Sequence, residues 1–199
     1  MTDGTAYRMV LASASPRRRE LLSGLGIDFE VRVMSGVDES YPADLPAVDV
    51  PEYLARKKAA AYALDMRRDE LIITADTVVV LDGEILEKPL DRDDAVRMLK
   101  LLSGRVHEVV TGVALTASVR QTAFSTISKV TFGTLTDEEI SYYVDTFHPY
   151  DKAGAYGIQE WIGYVAVKGI QGSFYNVMGL PVQRLYQELK AFSGFDGTR

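Results

Sequence analysis

The chain predicts an α/β fold in which helices flank a mixed, curved sheet, and three observations carry that prediction. Helix and strand signals alternate through the early part of the sequence. The middle then turns β-rich, with apolar runs at about 106–116 and 123–132. Between two apolar runs, Asp82-Gly83 is a strong hairpin turn.

The elements follow in order. Met9-Val10-Leu11-Ala12 reads as a short buried strand, and 20–26 as the body and end of a helix. Ser15 is a good N-cap for that helix, and Pro16 suits its first position, where a missing N–H has no intrahelical partner to lose. An acidic stretch from Ser35 to Pro51, holding Pro42, Pro46 and Pro51, is loop-like. A long helix is expected over 52–69, with Leu54, Ala55, Ala59, Tyr62 and Leu64 as its apolar positions. A strand over 71–75 leads to Asp76, continues over 77–81 and turns back into 84–86. A helix over 91–103 has acids at its start and Gly104 as its C-cap. Thr136-Asp137-Glu138-Glu139 is a capping box opening a helix that ends near Thr146. A glycine-rich segment, 154–163, leads to a strand over 164–170, and a final helix spans 181–192.

Length and composition narrow the class. The 199 residues suit one domain, 1–199, with enough chain for a substantial core. A formal charge of −6 argues against a sequence-independent nucleic-acid binder. The chain has no cysteine, which excludes disulfides, thiolate catalysis and Cys-ligated zinc. No apolar run approaches ~20 residues and no hydrophobic signal core is visible, so no membrane partner and a cytoplasmic location are expected.

Ser13-Ala14-Ser15-Pro16-Arg17-Arg18-Arg19 stands out against this background. A helix N-terminus carries about half a positive charge and favours acids. Three arginines there repel it and one another, and Arg18 stands where a capping box would have Glu or Gln. A bound anion removes the conflict, because free N–H groups, serine hydroxyls and guanidinium forks together cradle phosphate. The alternative is a solvated basic turn. On either reading, removing Arg17 or Arg18 should relieve repulsion and leave stability unchanged or slightly improved.

Common catalytic motifs are absent: there is no P-loop, no G-x-G-x-x-G and no HExxH. Two histidines, His107 and His148, are too few for a histidine-built metal site. Asp91, Asp93 and Asp94 read as caps and first-turn acids rather than as a metal cluster. Asp76 is the better candidate, since ligand sites in α/β sheets open where strands end. Its carboxylate is read as a ligand for Mg²⁺ or a general base, against a plain turn acid. Glu39, beside Asp38, is a weaker loop candidate. Lys58 adjoins Lys57, and one of the two belongs to the surface. Lys88, before Pro89, stands where an exposed cation reaches a phosphate.

These residues carry a resemblance. Ser13-Ala14-Ser15-Pro16-Arg17-Arg18 resembles the S-x-S-P-R-R motif of the Maf nucleotide pyrophosphatases. The likeness continues through 54–59, Ala75-Asp76-Thr77, Glu87-Lys88-Pro89, 102–105, Thr111-Gly112-Val113, 151–159, Gly172-Ser173 and Gly179-Leu180-Pro181, in one consistent order over 11–189. Asp151-Lys152-Ala153-Gly154-Ala155-Tyr156-Gly157-Ile158-Gln159 is similar to the branch acting on dTTP and UTP.

The resemblance implies a Maf/ITPase-like mixed sheet with an extended nucleotide-binding cleft. It implies hydrolysis of a nucleoside triphosphate to the monophosphate and pyrophosphate. Arg17, Arg18, Lys58 and Lys88 would hold the triphosphate and neutralise the leaving pyrophosphate. Asp76 would be the general base and a metal ligand, with Glu39 helping to hold a divalent cation, Mg²⁺ or Mn²⁺. Ser13 would donate to a phosphate oxygen, and Thr77 and Gln159 would read the base. A homodimer is expected. The alternatives are a non-catalytic nucleotide-binding regulator of septum formation in cell division, and a phosphomonoesterase or nucleotidyltransferase. After Gln159 the family continues with glycine and small residues, whereas this chain has Glu160-Trp161-Ile162-Gly163-Tyr164. Trp161 reads as core or interface rather than as a ring that stacks on a base.

Overall fold

The structure is a computed structural model, and it describes residues 7–193. The outermost residues of the expected 1–199 domain therefore lie outside the described residues. Its order is β1 (Arg8–Leu11), α1 (Pro16–Ser23), β2 (Phe29–Val31), α2 (Val50–Ala63), β3 (Glu70–Leu81), β4 (Glu84–Leu86) and α3 (Arg92–Leu102). There follow β5 (Val106–Ala117), β6 (Arg120–Phe132), α4 (Asp137–Phe147), a 3-10 turn (Ala153–Ala155), α5 (Trp161–Ala166), β7 (Val167–Gln171), α6 (Phe174–Met178) and α7 (Val182–Ser193). The expected mixed α/β sheet flanked by helices is what the chain forms. Seven strands run β2-β1-β3-β5-β6-β7, with β4 also on β3. The β1 pairings are parallel and the others antiparallel.

The period of two along β3 divides the interior. Leu71, Ile73 and Ala75 pack with Leu21, Leu22 and Leu185 in one core, beneath α1 and α7. Val79 and Leu81, on the same face, join a second core with Leu99, Phe132 and Tyr143, beneath α3 and α4. The opposite face carries Val78 and Val80, which pack with Val50 and Leu54 of α2. Thr74, also on that face, donates to the Ala55 carbonyl at 2.7 Å. Thr77 falls between the two cores, and Asp76 points to the α2 side.

One edge of β3 is left open. Parallel β1 covers 70–73 and antiparallel β4 covers 79–81, so 74–78 has no strand neighbour on that edge. On the other edge Asp76 pairs with Gly112. A Cβ at Gly112 would collide with the backbone of Pro51 and Glu52. Glycine at this position lets the start of α2 lie directly on the sheet.

Three local expectations are corrected. α2 starts at Val50, two residues earlier, and ends at Ala63 rather than 69. The chain turns there because the buried Glu70 carboxylate needs the Arg67 amide at 3.0 Å and the Arg32 guanidinium at 2.7 Å. The expected strand over 164–170 begins only at Val167. Ile162 and Ala166 are the buried pair before it, four apart, while Tyr164 is exposed, which is helical rather than strand periodicity. Asp76 lies inside an uninterrupted 12-residue strand rather than at a strand end. β2 and α6 carried no sequence signal strong enough to expect: β2 has three residues, and α6 has five held between the Ser173 cap and left-handed Gly179.

Candidate functional site

The open edge of β3 is the floor of a cleft of about 330 Å³. Lys58 stands on α2 one turn above Leu54 and reaches down to it. Its ammonium lies 2.6 Å from Asp76 Oδ1 and 3.0 Å from Glu39 Oε1. The Lys58 and Asp76 side chains are only 15% and 14% exposed, so solvent screens this pair poorly. Glu39 is pushed up by burial, but the hydrogen bond and charge of Lys58, with Lys88 and Arg18 further off, outweigh that and hold its carboxyl below the usual range. Lys57 turns away to Asp38 and Ser40, and is the surface member of the pair.

Two carboxylates from different elements thus converge on one cation. This is the donor chemistry of a hard divalent ion, which takes oxygen ligands and completes its shell with water or phosphate. Among the described residues no three His, Asp or Glu come together as a metal cage. Glu39 and Asp76 therefore fit a metal shared with substrate rather than a resident structural ion.

The basic corner stands beside them. Ser15 caps α1, accepting from the Arg18 amide at 3.4 Å, and lines the cleft. Ser13 does not line it; its hydroxyl accepts from the Ser15 amide at 3.2 Å, which shapes the turn. Arg17 lines the cleft and pairs with Asp151 at 3.1 Å. Lys88 is exposed at the rim. Arg18 is more embedded than a solvated arginine. It donates to the Gly179 carbonyl at 2.8 Å, the Ala75 carbonyl at 2.8 Å and Thr77 Oγ1 at 3.0 Å. The Ala75 carbonyl is one that the gap between β1 and β4 leaves open. The expectation that removing Arg18 spares stability is therefore overturned: this guanidinium ties α1 to β3 and to the end of α6. Desolvation lowers its pKa, the Asp76 charge opposes that, and an arginine remains charged regardless.

Thr77 and Gln159 line the same cleft. The Thr77 hydroxyl accepts from Arg18 and lies 2.9 Å from Thr111 Oγ1, whose own proton goes to the Asn176 carbonyl. Thr77 thus spends its proton on Thr111. In this arrangement it positions Arg18 and has an acceptor lone pair rather than a proton left for a base. Gln159 Oε1 is buried without a hydrogen-bond partner. A buried unpaired amide oxygen costs about 1–3 kcal/mol, so Gln159, which lines the cleft, suits a ligand donor. Trp161 packs edge-on to Tyr142 at 5.0 Å against the second core, as expected.

Several lining residues were missed as site residues. Tyr41 donates to Glu87 at 3.1 Å, and both lie on the cleft wall. Asp151, Lys152 and Tyr156 line it as well. The last three lie within the 151–159 stretch, but only the fold shows that they share a cleft with Arg17, which Asp151 pairs directly. Asp91, Asp93 and Asp94 lie elsewhere. Asp91 caps α3 by accepting from the Asp94 amide at 2.9 Å, and Asp94 pairs with Arg97.

Comparison with known proteins is consistent over most of the chain. A family model described as Maf-like protein matches residues 8–192. A Bacteroides thetaiotaomicron protein named dTTP/UTP pyrophosphatase is 59% identical over 92% of this chain and 95% of its own length. A Porphyromonas gingivalis protein of the same name is 59% identical over 94% of each chain. The solved structure of a HAM1 protein from Coxiella burnetii aligns with a TM-score of 0.47 at 14% identity, covering 93% of this chain and 99% of that one.

Proposed function

Because the chain belongs to the Maf-like protein family, we propose that it hydrolyses nucleoside triphosphates, dTTP and UTP foremost, to the monophosphate and pyrophosphate. The observation that carries this reading is the Glu39–Lys58–Asp76 cluster facing Arg17, Arg18 and Lys88 across one cleft. Arg17, Arg18, Lys58 and Lys88 beside Glu39 and Asp76, in a concave site also lined by Lys152, Glu87 and Asp151, suit a polyanion approached by water. A purely binding role would need no buried carboxylate beside the phosphates.

In this scheme Asp76 takes a proton from the water that attacks the α-phosphorus. The bond from that phosphorus to the bridging oxygen breaks, and pyrophosphate leaves. Arg17 and Lys88 neutralise its charge as it departs, while Arg18 anchors the corner. Lys58 holds Asp76 and Glu39 in place and offers its remaining proton to a phosphate oxygen. A divalent cation at Glu39 and Asp76, Mg²⁺ or Mn²⁺, would supply Lewis-acid charge to those oxygens. Gln159 would pair with the adjacent N3–H and O4 of uracil or thymine, the former meeting its unpaired oxygen.

Among the described residues no helix is long and apolar enough to cross a membrane. A cytoplasmic homodimer is the setting we propose, and light scattering on the purified protein checks the oligomeric state. The chemistry is tested by supplying each nucleoside triphosphate with Mg²⁺ or Mn²⁺ and separating the products. UMP or dTMP with pyrophosphate is expected; release of orthophosphate instead would overturn the reading.

A further inference from the structure

Gln159 sits in a tight turn, closed by the Glu160 amide donating to the Gly157 carbonyl at 2.9 Å. This turn is fastened to α4. The Gly157 amide donates to the Tyr143 hydroxyl at 3.0 Å, and that hydroxyl donates to Glu160 Oε2. Burial and then the Glu160 hydrogen bond push the Tyr143 phenol up, so it remains a protonated donor. Tyr143 itself is fully buried and stacked on Phe147. The other Glu160 oxygen lies 3.1 Å from the Lys152 ammonium. Lys152 is 2.7 Å from Asp151, which pairs in turn with Arg17. A continuous polar string therefore runs from the arginine corner to the turn bearing Gln159.

We infer that Glu160 is a positioning residue for base selection, acting through Tyr143 and Lys152 to hold the Gln159 turn in place at the cleft wall. Three observations lead here. The Gln159 oxygen is buried and unpaired, an arrangement that a loose turn would relax by rotating toward water. Glu160 uses both carboxylate oxygens on groups from different elements, which fixes the turn at two points. Gly157 has no room to spare: a Cβ there would stand 2.9 Å from Glu160 Cδ and 3.1 Å from Gln159 Nε2. Supporting contacts of this kind set the precision of a recognition group that does not itself touch them.

The inference rests on the pyrimidine triphosphatase reading above, and the experiment separates the two. Steady-state kinetics with UTP and CTP are measured for wild type, Tyr143→Phe and Glu160→Ala. Each variant is expected to raise KM for UTP about tenfold while kcat changes little, so that the preference for UTP over CTP falls. A variant that loses activity on both nucleotides equally, with the preference intact, would overturn the inference, since that is what general loosening of the fold gives. If Glu160→Ala does not fold, Tyr143→Phe decides alone, because it keeps the ring and its packing. A wild type that releases no pyrophosphate overturns the functional reading itself. One that hydrolyses UTP and CTP equally overturns base selection by Gln159, and the inference with it.

Discussion

Lys58 Nζ lies 2.6 Å from Asp76 Oδ1, joining the middle of α2 to the middle of β3 across the open edge of the sheet. Asp76 lies mid-strand rather than at the strand end where the sequence places it, and Lys58 points inward from α2 while its neighbour Lys57 faces the surface. The pair exists because α2 lies directly on the sheet, with Gly112 opposite Asp76.

Asp76→Asn should fold normally, since the amide is isosteric and still accepts from Lys58. It loses the base, so kcat is expected to fall by roughly 10²- to 10⁴-fold. Turnover close to wild type would assign Asp76 a structural role only. Nucleotide-induced thermal shifts, measured alongside, separate chemistry from binding.

Gly112→Ala is expected to damage stability and activity together. The added methyl meets the backbone of Pro51 and Glu52, which cannot yield as a side chain does. Overpacking of this kind destabilises by about 1–3 kcal/mol, and displacing α2 carries Lys58 away from Asp76. Thermal melts and kcat on one preparation check this; a drop in stability with full activity would dissociate α2 placement from catalysis.

Arg17→Ala and Arg18→Ala should differ. Arg17 has one exposed ion pair, with Asp151, so its loss should change apo stability by less than ~1 kcal/mol while weakening triphosphate binding. Arg18→Ala leaves the Ala75 and Gly179 carbonyls unpaired and is expected to destabilise by about 2 kcal/mol or more. Equal melting temperatures for the two variants would contradict this assignment.

Gln159→Ala should lower kcat/KM for UTP and dTTP more than for CTP or a purine triphosphate. The cytosine edge presents the reverse donor and acceptor pattern, so a site built for uracil discriminates by leaving its own groups unpaired. Competition assays with paired nucleotides measure this ratio directly.

Stability should fall with acid before the carboxylates are involved. His107 is buried, with Nε2 2.7 Å from the Tyr156 hydroxyl and Nδ1 unpartnered, and burial lowers its pKa from 6.5 to about 4. Between those values the unfolded chain binds a proton that the folded chain does not, so unfolding becomes easier as pH drops from 6.5 toward 4. The slope from this group is at most ~1.4 kcal/mol per pH unit. Glu70, lowered to about 2 chiefly by its Arg32 hydrogen bond, stabilises above 4.5 and loses that contribution only lower down, toward pH 2. Urea titrations at pH 6.5 and 5 should show a flatter pH dependence in His107→Gln than in wild type.

The sequence by itself determined the elements whose signals are local. Ser15-Pro16, Asp91 and the Thr136 capping box set helix starts because a cap acts on amides two or three residues away. The Asp82-Gly83 hairpin was legible for the same reason, and so were the strands β5 and β6, though not their pairing. The arginine corner was legible because its cations conflict with a helix N-terminus, whereas the lysines and carboxylates of the cleft were singled out chiefly by the resemblance of their motifs. Tertiary structure alone decided which of them meet. Lys58 rather than Lys57 faces Asp76, Ser15 rather than Ser13 lines the cleft, and Arg18 is a bridge as well as a cation. None of this follows from neighbouring residues, since each depends on the open edge of β3 and on the close approach at Gly112. The partners Glu160 and Tyr143, 17 positions apart, were beyond sequence reasoning, because a hydrogen bond between side chains of two distant elements leaves no periodic trace in the chain.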